Sequence, residues 1–573
     1  FYKQQYFISY SQFIKKYCSS IAKGMHINQI HFVNLPLSGA IPKGSKMAIE
    51  LGNEIVNDNH KLSMPFVKYL NDPRAVNLIK KIYINSLINY CTKYNVLEEF
   101  VERSKGQIIY YFPVEKNLTI ELLKREAQNV VIIRWHIVFL SCVCLISKIV
   151  NFFMLVIAPL LIIAKIIKAG RFSFCSKDEK VASKEIVFFH RDHFINYDNA
   201  SIYRDSYFFH SSILKYSDCI HSGTFSRLSE EKRSYLRDKG GLVCDYMSEK
   251  IPGRFIVARL FVDYYKCFFK FLLPLAFNRF SSISTIIYIM GALGKIIMLQ
   301  NFLSKINAKL AVFESEIGLV CSIFTILSDQ CDIKTITMPH GYGGYCMPDN
   351  ERANMIVNYY MVQGNYYKKF FLPGNPDIDN YYLIGNIEIE PILDSKGKLC
   401  NDMHIKKGKK IVAVFVVFRM FLPDTKSGYY KLFGGLFDHE DARKALERLW
   451  KPFLEWANLQ DDLFFIFKGK KGGKQYEHPF MQRLLSVISP EKYCQNDEIL
   501  AKDLIAISDC TISTGNSSTL YSALCLGKPA IAYNFNVPGY VPEYDKHLVA
   551  TSPDELISNL TYILEHGISK NVY

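Results

Sequence analysis

Apolar runs long enough to cross a bilayer are almost absent from this 573-residue sequence, and its mean hydropathy is only +0.04. A spanning helix needs about 20 predominantly apolar residues, so most of the chain does not read as a polytopic membrane protein. Metal-type cysteine spacing is missing too. The 15 cysteines are odd in number and scattered, and the nearest pair, Cys142-Val143-Cys144, is too close for a usual zinc knuckle. Disulfide frameworks belong to short secreted chains, so free, mostly buried thiols in a reducing cytosol are expected. No recognisable RNA-binding motif accompanies the basic excess, so nucleic acid is not expected as a partner. No signal peptide is read in the given sequence, which begins at Phe1 rather than Met, so a targeting segment before it stays open.

What is present is a large apolar content with a basic surplus. Hydrophobic residues make up 49%, aromatics 14% and charged residues 21%, which excludes a disordered chain and, at this length, predicts several domains. Lys+Arg total 69 against 54 Asp+Glu, a formal charge of +15. Part of that surplus reads as composition bias, of the kind an AT-rich genome would give. The rest calls for anionic lipid or a phosphorylated substrate.

Three regions follow one another. Residues 1–130 combine strand-like runs at 30–35 and 107–113 with amphipathic helical sequence that includes 75–101; they form an α/β extension. Residues 131–175 contain the most apolar stretch, 131–169. Lys148 interrupts it, Pro159 would kink it, and Lys165, Lys168 and Arg171 follow. An interfacial or re-entrant segment on an anionic membrane fits this better than a single clean span, with a spanning helix and a buried core helix as the other placements. From residue 184, strands alternate with helices. Strands are expected at 185–189, 218–221, 242–244, 310–313, 334–338, 355–362 and 381–384, and helices at 226–239, 317–329 and 365–371. Residues 255–307 are expected to form a long, broken helical region. A linker at 386–408 precedes a second alternation over 409–573, with strands near 411–417, 463–467 and 530–533 and helices at 438–459, 479–488, 518–526 and 553–564. A helix end and a strand share 505–511. Such alternation predicts parallel sheets, whose ligands sit at the carboxyl ends of strands.

The strongest chemical signal is Ser513-Thr514-Gly515-Asn516-Ser517-Ser518-Thr519, a small-residue turn between a strand and a helix. Free backbone N–H groups and the helix dipole at such a place favour a phosphate. One hydroxyl suffices for a structural cap, whereas Ser517, Ser518 and Thr519 supply three. The Gly527-Lys528-Pro529 run falls after the helix and ends it, so this is not a P-loop. A second signal is Lys468 at a strand end, opening the basic loop Gly469-Lys470-Lys471-Gly472-Gly473-Lys474, which suits a diphosphate or is a solvated turn. Arg419, after the strand near 411–417, is a further donor-phosphate candidate. His340, in Met338-Pro339-His340-Gly341, follows a strand and is a candidate base or phosphate ligand, or a structural histidine. Glu314 and Glu316 follow another strand and are candidate general bases, or caps for the next helix. His190 and Asp192, in Phe189-His190-Arg191-Asp192-His193, follow the first strand of that domain and are candidates for holding or activating an acceptor. No metal site is expected.

These motifs resemble those of GT-B glycosyltransferases of the bacterial capsule and surface-polysaccharide type. CDP-glycerol glycerophosphotransferases and nucleotide-sugar 2-epimerases share a related arrangement. The matching positions are Gly515, Ser517, Ser518, Thr519, Ala523, Leu524, Gly527, Lys528 and Pro529, with Lys468 at a family lysine, His340 at a His-Gly element and Gly385-Asn386 at the link between domains. Ser522 stands where many relatives carry a ribose-binding Glu, and Glu543 is a possible substitute. The resemblance implies two Rossmann-like domains facing a cleft, acceptor on the first and nucleotide-sugar donor on the second. It implies sugar transfer to a surface polysaccharide or lipid-linked glycan at the cytoplasmic face of the inner membrane. No cofactor is implied beyond the donor substrate, and no metal if helix dipole and lysines supply the positive charge. A CDP-polyol phosphotransferase, a non-catalytic assembly subunit and a nucleotide-sugar epimerase are the alternatives, the apolar segment and the extension arguing against the last.

Overall fold

The computed structural model describes residues 5–8, 31–32, 40–103, 108–111, 130–132, 145–146, 149–150, 152–153, 156–157, 160, 172–173, 184–190, 209, 214–224, 228–246, 251–252, 283–314, 318–338, 353–362, 377–384, 403, 405–406, 408–415, 439–469, 479–497, 499, 501–514, 518–533 and 548–567. The N-terminal region contains strands β1 (Gln5–Ile8) and β2 (His31–Phe32), helices α1 (Ala40–Asp58), α2 (His60–Leu70) and α3 (Ala75–Arg103), and strands β3 (Ile108–Tyr111) and β4 (Val130–Ile132). The four strands form a parallel sheet in the order β2-β1-β3-β4. β4 takes the first residues of the apolar stretch into this sheet.

The middle of the chain supplies β5 (Phe172–Ser173), β6 (Ile186–His190), β7 (Cys219–Gly223), helix α4 (Glu230–Asp238), β8 (Leu242–Val243), β9 (Ile251–Pro252) and helix α5 (Ile283–Leu303). It continues through β10 (Leu310–Phe313), helix α6 (Val320–Asp329), β11 (Lys334–Thr337), β12 (Ile356–Val362) and β13 (Asp377–Leu383). β5 pairs only with β9 among the described residues. The others form one parallel sheet, β8-β7-β6-β10-β11-β12-β13. The chain starts at the centre with β6, builds outward to β8, then returns to build the other half. This is the doubly wound, Rossmann-like order, with its topological switch point between β6 and β10.

The last third repeats the plan. β14 (Lys410–Phe415), helix α7 (His439–Leu459), β15 (Leu463–Lys468), helix α8 (Pro479–Leu485), β16 (Tyr493–Gln495) and helix α9 (Ala501–Ile507) lead to β17 (Cys510–Thr514). Helix α10 (Ser518–Cys525), β18 (Ala530–Tyr533), β19 (Val549–Ala550) and helix α11 (Pro553–His566) complete it. The sheet order is β16-β15-β14-β17-β18-β19, all parallel, with the switch point between β14 and β17.

The strand sequences are nearly unbroken apolar runs because helices cover both faces of such sheets. In the first domain Phe189 stacks on Phe313 with ring centroids 4.3 Å apart, and Phe302, Phe324 and Tyr246 close around them. On the opposite face Phe188 packs with Cys219 and Val312. In the second, Trp450 and Phe453 of α7 meet Tyr533 and Phe465.

Most expected elements appear, with differences at their ends. The helix expected from 226 starts at Glu230, because Ser229 caps it by accepting from the Lys232 amide at 3.3 Å. β13 begins four residues before the expected 381, since its ladder with β12 starts at Ile356 opposite Asp377. β16 and β19 were not expected; two or three residues become strands only when a neighbouring ladder is already present. The helix expected at 365–371, the linker at 386–402 and Gly385-Asn386 lie outside the described residues.

The extension packs on the first domain. Arg74 pairs with Asp72 and with Asp329 at the end of α6, each at 2.7 Å, and the Gln330 side chain donates to the Leu70 carbonyl at 2.7 Å. Among the described residues, one helix is long and apolar enough to cross a membrane, within α5. Its residues Ile286, Ile289, Ile296, Leu299 and Phe302 are buried at helical spacing, as in a core helix.

Candidate functional site

In the first domain the switch point is built by the carboxyl ends of β6 and β10. Phe189 lies opposite Phe313 in the ladder, so His190 and Glu314, the next residues, stand level with each other. The Glu314 amide donates to the Phe189 carbonyl at 3.2 Å, and both side chains are buried. The sequence-expected candidates Asp192, Glu316 and His340 lie outside the described residues. The strands that lead to them, β6, β10 and β11, end side by side.

His190 has a partner that sequence reasoning missed. Its Nε2 lies 2.8 Å from Nδ1 of His221 on β7, and the other His221 nitrogen lies 2.9 Å from the Tyr216 carbonyl. The rings stack with centroids 5.1 Å apart, and Phe188 lies against the His190 ring at 4.6 Å. Burial, then the nearby buried Lys232 and His221, hold His190 well below the usual imidazole range. Burial also depresses His221, to about 4, although its hydrogen bond to Tyr216 opposes the shift. Both rings are therefore neutral at physiological pH. A signal existed in the sequence: His221 sits on the strand next to the one bearing His190, but only the ladder brings the two together.

Gly240-Gly241 reads as a helix stop, and the structure adds a second role. Gly240 has φ +78°, the left-handed conformation that favours glycine. A Cβ on Gly241 would lie 2.6 Å from the His221 ring and 2.9 Å from the Leu236 carbonyl, so the imidazole occupies the space a side chain would fill.

In the second domain β17 ends at Thr514 and α10 begins at Ser518, so the expected turn falls between the first strand past the switch point and its helix. Gly515, Asn516 and Ser517 in that turn, Arg419 and Glu543 lie outside the described residues; of Ser518, the helical backbone is described. Thr519 uses its hydroxyl structurally: Oγ1 lies 2.8 Å from Ser513 Oγ, joining helix to strand across the turn. Ser522, the departure from the expected pattern, is buried. The helix ends as expected: Gly527 has φ +66°, and the Lys528 amide donates to Ala523 at 2.9 Å. Lys528 Nζ then donates to the Ser508 carbonyl after α9 at 3.0 Å.

Lys468 stands at the end of β15, two strands from α10's β17, and is buried. Its Nζ donates to the Asp497 carbonyl at 2.6 Å, and the Gly469 amide donates to Asp497 Oδ1 at 2.7 Å. Asp497 thus holds both the lysine and the start of the basic loop, a role with no sequence signal. Among the described residues, no group of three or more His, Cys, Asp or Glu side chains is placed to hold a metal ion.

No family model and no curated protein matches the chain. Solved structures do. A UDP-GlcNAc 2-epimerase from Neisseria meningitidis bound to UDP-GlcNAc is 11% identical, the match covering 66% of this chain and 91% of that one, with a TM-score of 0.37. HepE from Anabaena in complex with UDP and glucose is also 11% identical, covering 68% and 90% of the respective chains, with a TM-score of 0.35. A glycosyltransferase from Rickettsia africae is 12% identical over 67% of this chain and 88% of its own, with a TM-score of 0.36.

Proposed function

We propose that this protein is a GT-B glycosyltransferase that moves a sugar from a nucleotide-activated donor to a surface polysaccharide or lipid-linked glycan. The observation that carries the reading is the start of α10. A Gly-Asn-Ser-Ser-Thr run joins β17 to α10 at the switch point of a doubly wound sheet, where ligands of such folds bind. Helix N–H groups there take the donor phosphates, assisted by Lys468 and Arg419. The first domain receives the acceptor. Its hydroxyl is activated by a strand-end group from the set His340, Glu316, Glu314, His190 and Asp192, while the basic donor site stabilises the departing nucleotide diphosphate. Helix dipole and lysines supply the positive charge, with no cofactor beyond the donor.

The same reading places the protein on the cytoplasmic face of a bacterial inner membrane. Helical residues Ile146, Ile149, Phe153, Ile157 and Leu160 are exposed, whereas Phe152 and Val156 pack on the core. One apolar face inward and another outward, interrupted in sequence by Lys148 and followed by Lys165 and Lys168, suits an interfacial helix on anionic lipid.

Thermal shift with UDP-, CDP-, GDP- and CMP-sugars tests the donor site. One nucleotide class is expected to stabilise the protein and Ser518→Ala to weaken that shift. No stabilisation by any of them, with turnover intact in Ser518→Ala, defeats the reading. Transfer of a phosphoalditol from a CDP-polyol in place of a sugar would identify the phosphotransferase alternative. Sedimentation with phosphatidylglycerol vesicles tests the membrane face, and Phe153→Asp with Ile157→Asp is expected to abolish binding.

A further inference from the structure

The two buried rings at the end of β6 form a chain of hydrogen bonds with a fixed direction. The Tyr216 carbonyl can only accept, so His221 Nε2 carries the hydrogen in their 2.9 Å contact. A neutral imidazole has one ring N–H, which makes His221 Nδ1 an acceptor. That nitrogen lies 2.8 Å from His190 Nε2, so His190 donates there, and its own Nδ1 is left as the acceptor nitrogen.

We propose that His221 is a positioning residue that locks His190 in the Nε2–H tautomer, so that an acceptor nitrogen is set at the carboxyl end of β6 beside the switch point. Both rings are fully buried, and Lys232, also buried, adds a positive charge that disfavours a second ring proton. The seat is built for this ring. Gly241 leaves it room, and Tyr216, stacked on Phe209 at 4.1 Å, presents the carbonyl from the turn before β7. A packing role alone would be met by an aromatic hydrocarbon; both nitrogens of His221 are instead used in sequence. The functional consequence rests on the proposed acceptor side of the first domain, where the locked, fully buried ring fixes the end of β6, the strand that leads to the candidate Asp192.

The test is two-bond ¹H–¹⁵N spectroscopy of the full chain labelled with ¹⁵N-histidine at pH 7, with His190 assigned from the signals lost in His190→Gln. Both His190 and His221 are expected as neutral Nε2–H tautomers. In His221→Phe, His190 is expected to lose that single pattern and show mixed tautomers. In His221→Asn, whose Oδ1 can replace the Nδ1 acceptor, it is expected to keep it. Gly241→Ala, which displaces the ring, should act like His221→Phe. A charged or Nδ1–H His190 in the wild type overturns the proposal even if no variant folds, as does an unchanged His190 pattern in His221→Phe. In sugar-transfer assays, His221→Phe is expected to lower kcat at least tenfold with donor KM unchanged, and His221→Asn to recover most of the loss. Altered tautomers with unaltered turnover would leave the lock standing and remove His190 from the acceptor site.

Discussion

Ser513 Oγ and Thr519 Oγ1 lie 2.8 Å apart and tie the end of β17 to the first turn of α10. The bond closes the small-residue turn between them, which the proposed donor phosphates would occupy. Thr519→Val keeps the shape and removes the bond. A net loss of about 1 kcal/mol is expected in urea unfolding. The thermal shift produced by the stabilising nucleotide-sugar should shrink as well, because the turn is no longer held at both ends.

Gly527 ends α10 with φ +66°, and among the described residues, its chain neighbours aside, no heavy atom lies within 4 Å of where its Cβ would be. Gly527→Ala therefore introduces backbone strain without a clash. The expected cost is about 1–2 kcal/mol, with Gly527→Asn costing less because Asn tolerates the left-handed region. Denaturant midpoints of the two variants check the order.

Arg74 links the extension to the first domain by binding Asp72 and Asp329 together. Burial opposes its charge, but the Asp72 hydrogen bond outweighs it and raises the guanidinium pKa further. Arg74→Ala is expected to cost roughly 2 kcal/mol, the range for charged, partly buried hydrogen bonds. In a double-mutant cycle with Asp329→Asn, the combined loss should fall short of the sum of the single losses. Strict additivity would show that the clasp contributes nothing as a unit.

The histidine pair gives stability a pH dependence with a definite sign. Both folded-state pKa values lie below the ordinary 6.5, with His221 at about 4. Between these values the unfolded chain binds protons that the folded chain does not, so stability is full above about pH 6.5 and falls as pH drops toward 4. Each ring contributes a slope of at most about 1.4 kcal/mol per pH unit. Urea unfolding between pH 7 and 5 measures it, and His221→Phe should flatten the curve by one ring's share. That window lies above the range in which Asp461 and Glu555, both lowered by hydrogen bonds, lose their contribution.

How far the sequence could be read depended on the length of the element. Runs such as Leu310–Phe313 and Ala530–Tyr533 declare themselves because parallel strands covered on both faces must be apolar throughout. The Gly527 helix stop and the passage from strand to helix between Thr514 and Ser518 were equally legible, since glycine and hydroxyl residues carry local backbone chemistry. β16 and β19 were not, because their conformation is imposed by the neighbouring strands.

The sequence by itself determined two successive α/β alternations and the strand ends at which chemistry-bearing residues sit, because periodicity and turn chemistry act over a few residues. Tertiary structure alone decided which strands are neighbours, hence the switch points at β6/β10 and β14/β17. It also decided that His190 meets His221, that Gly241 makes room for that ring, and that Asp497 holds Lys468. Each of these joins residues 20 or more positions apart, and a contact across a sheet leaves no mark on local sequence until the ladder has set the register.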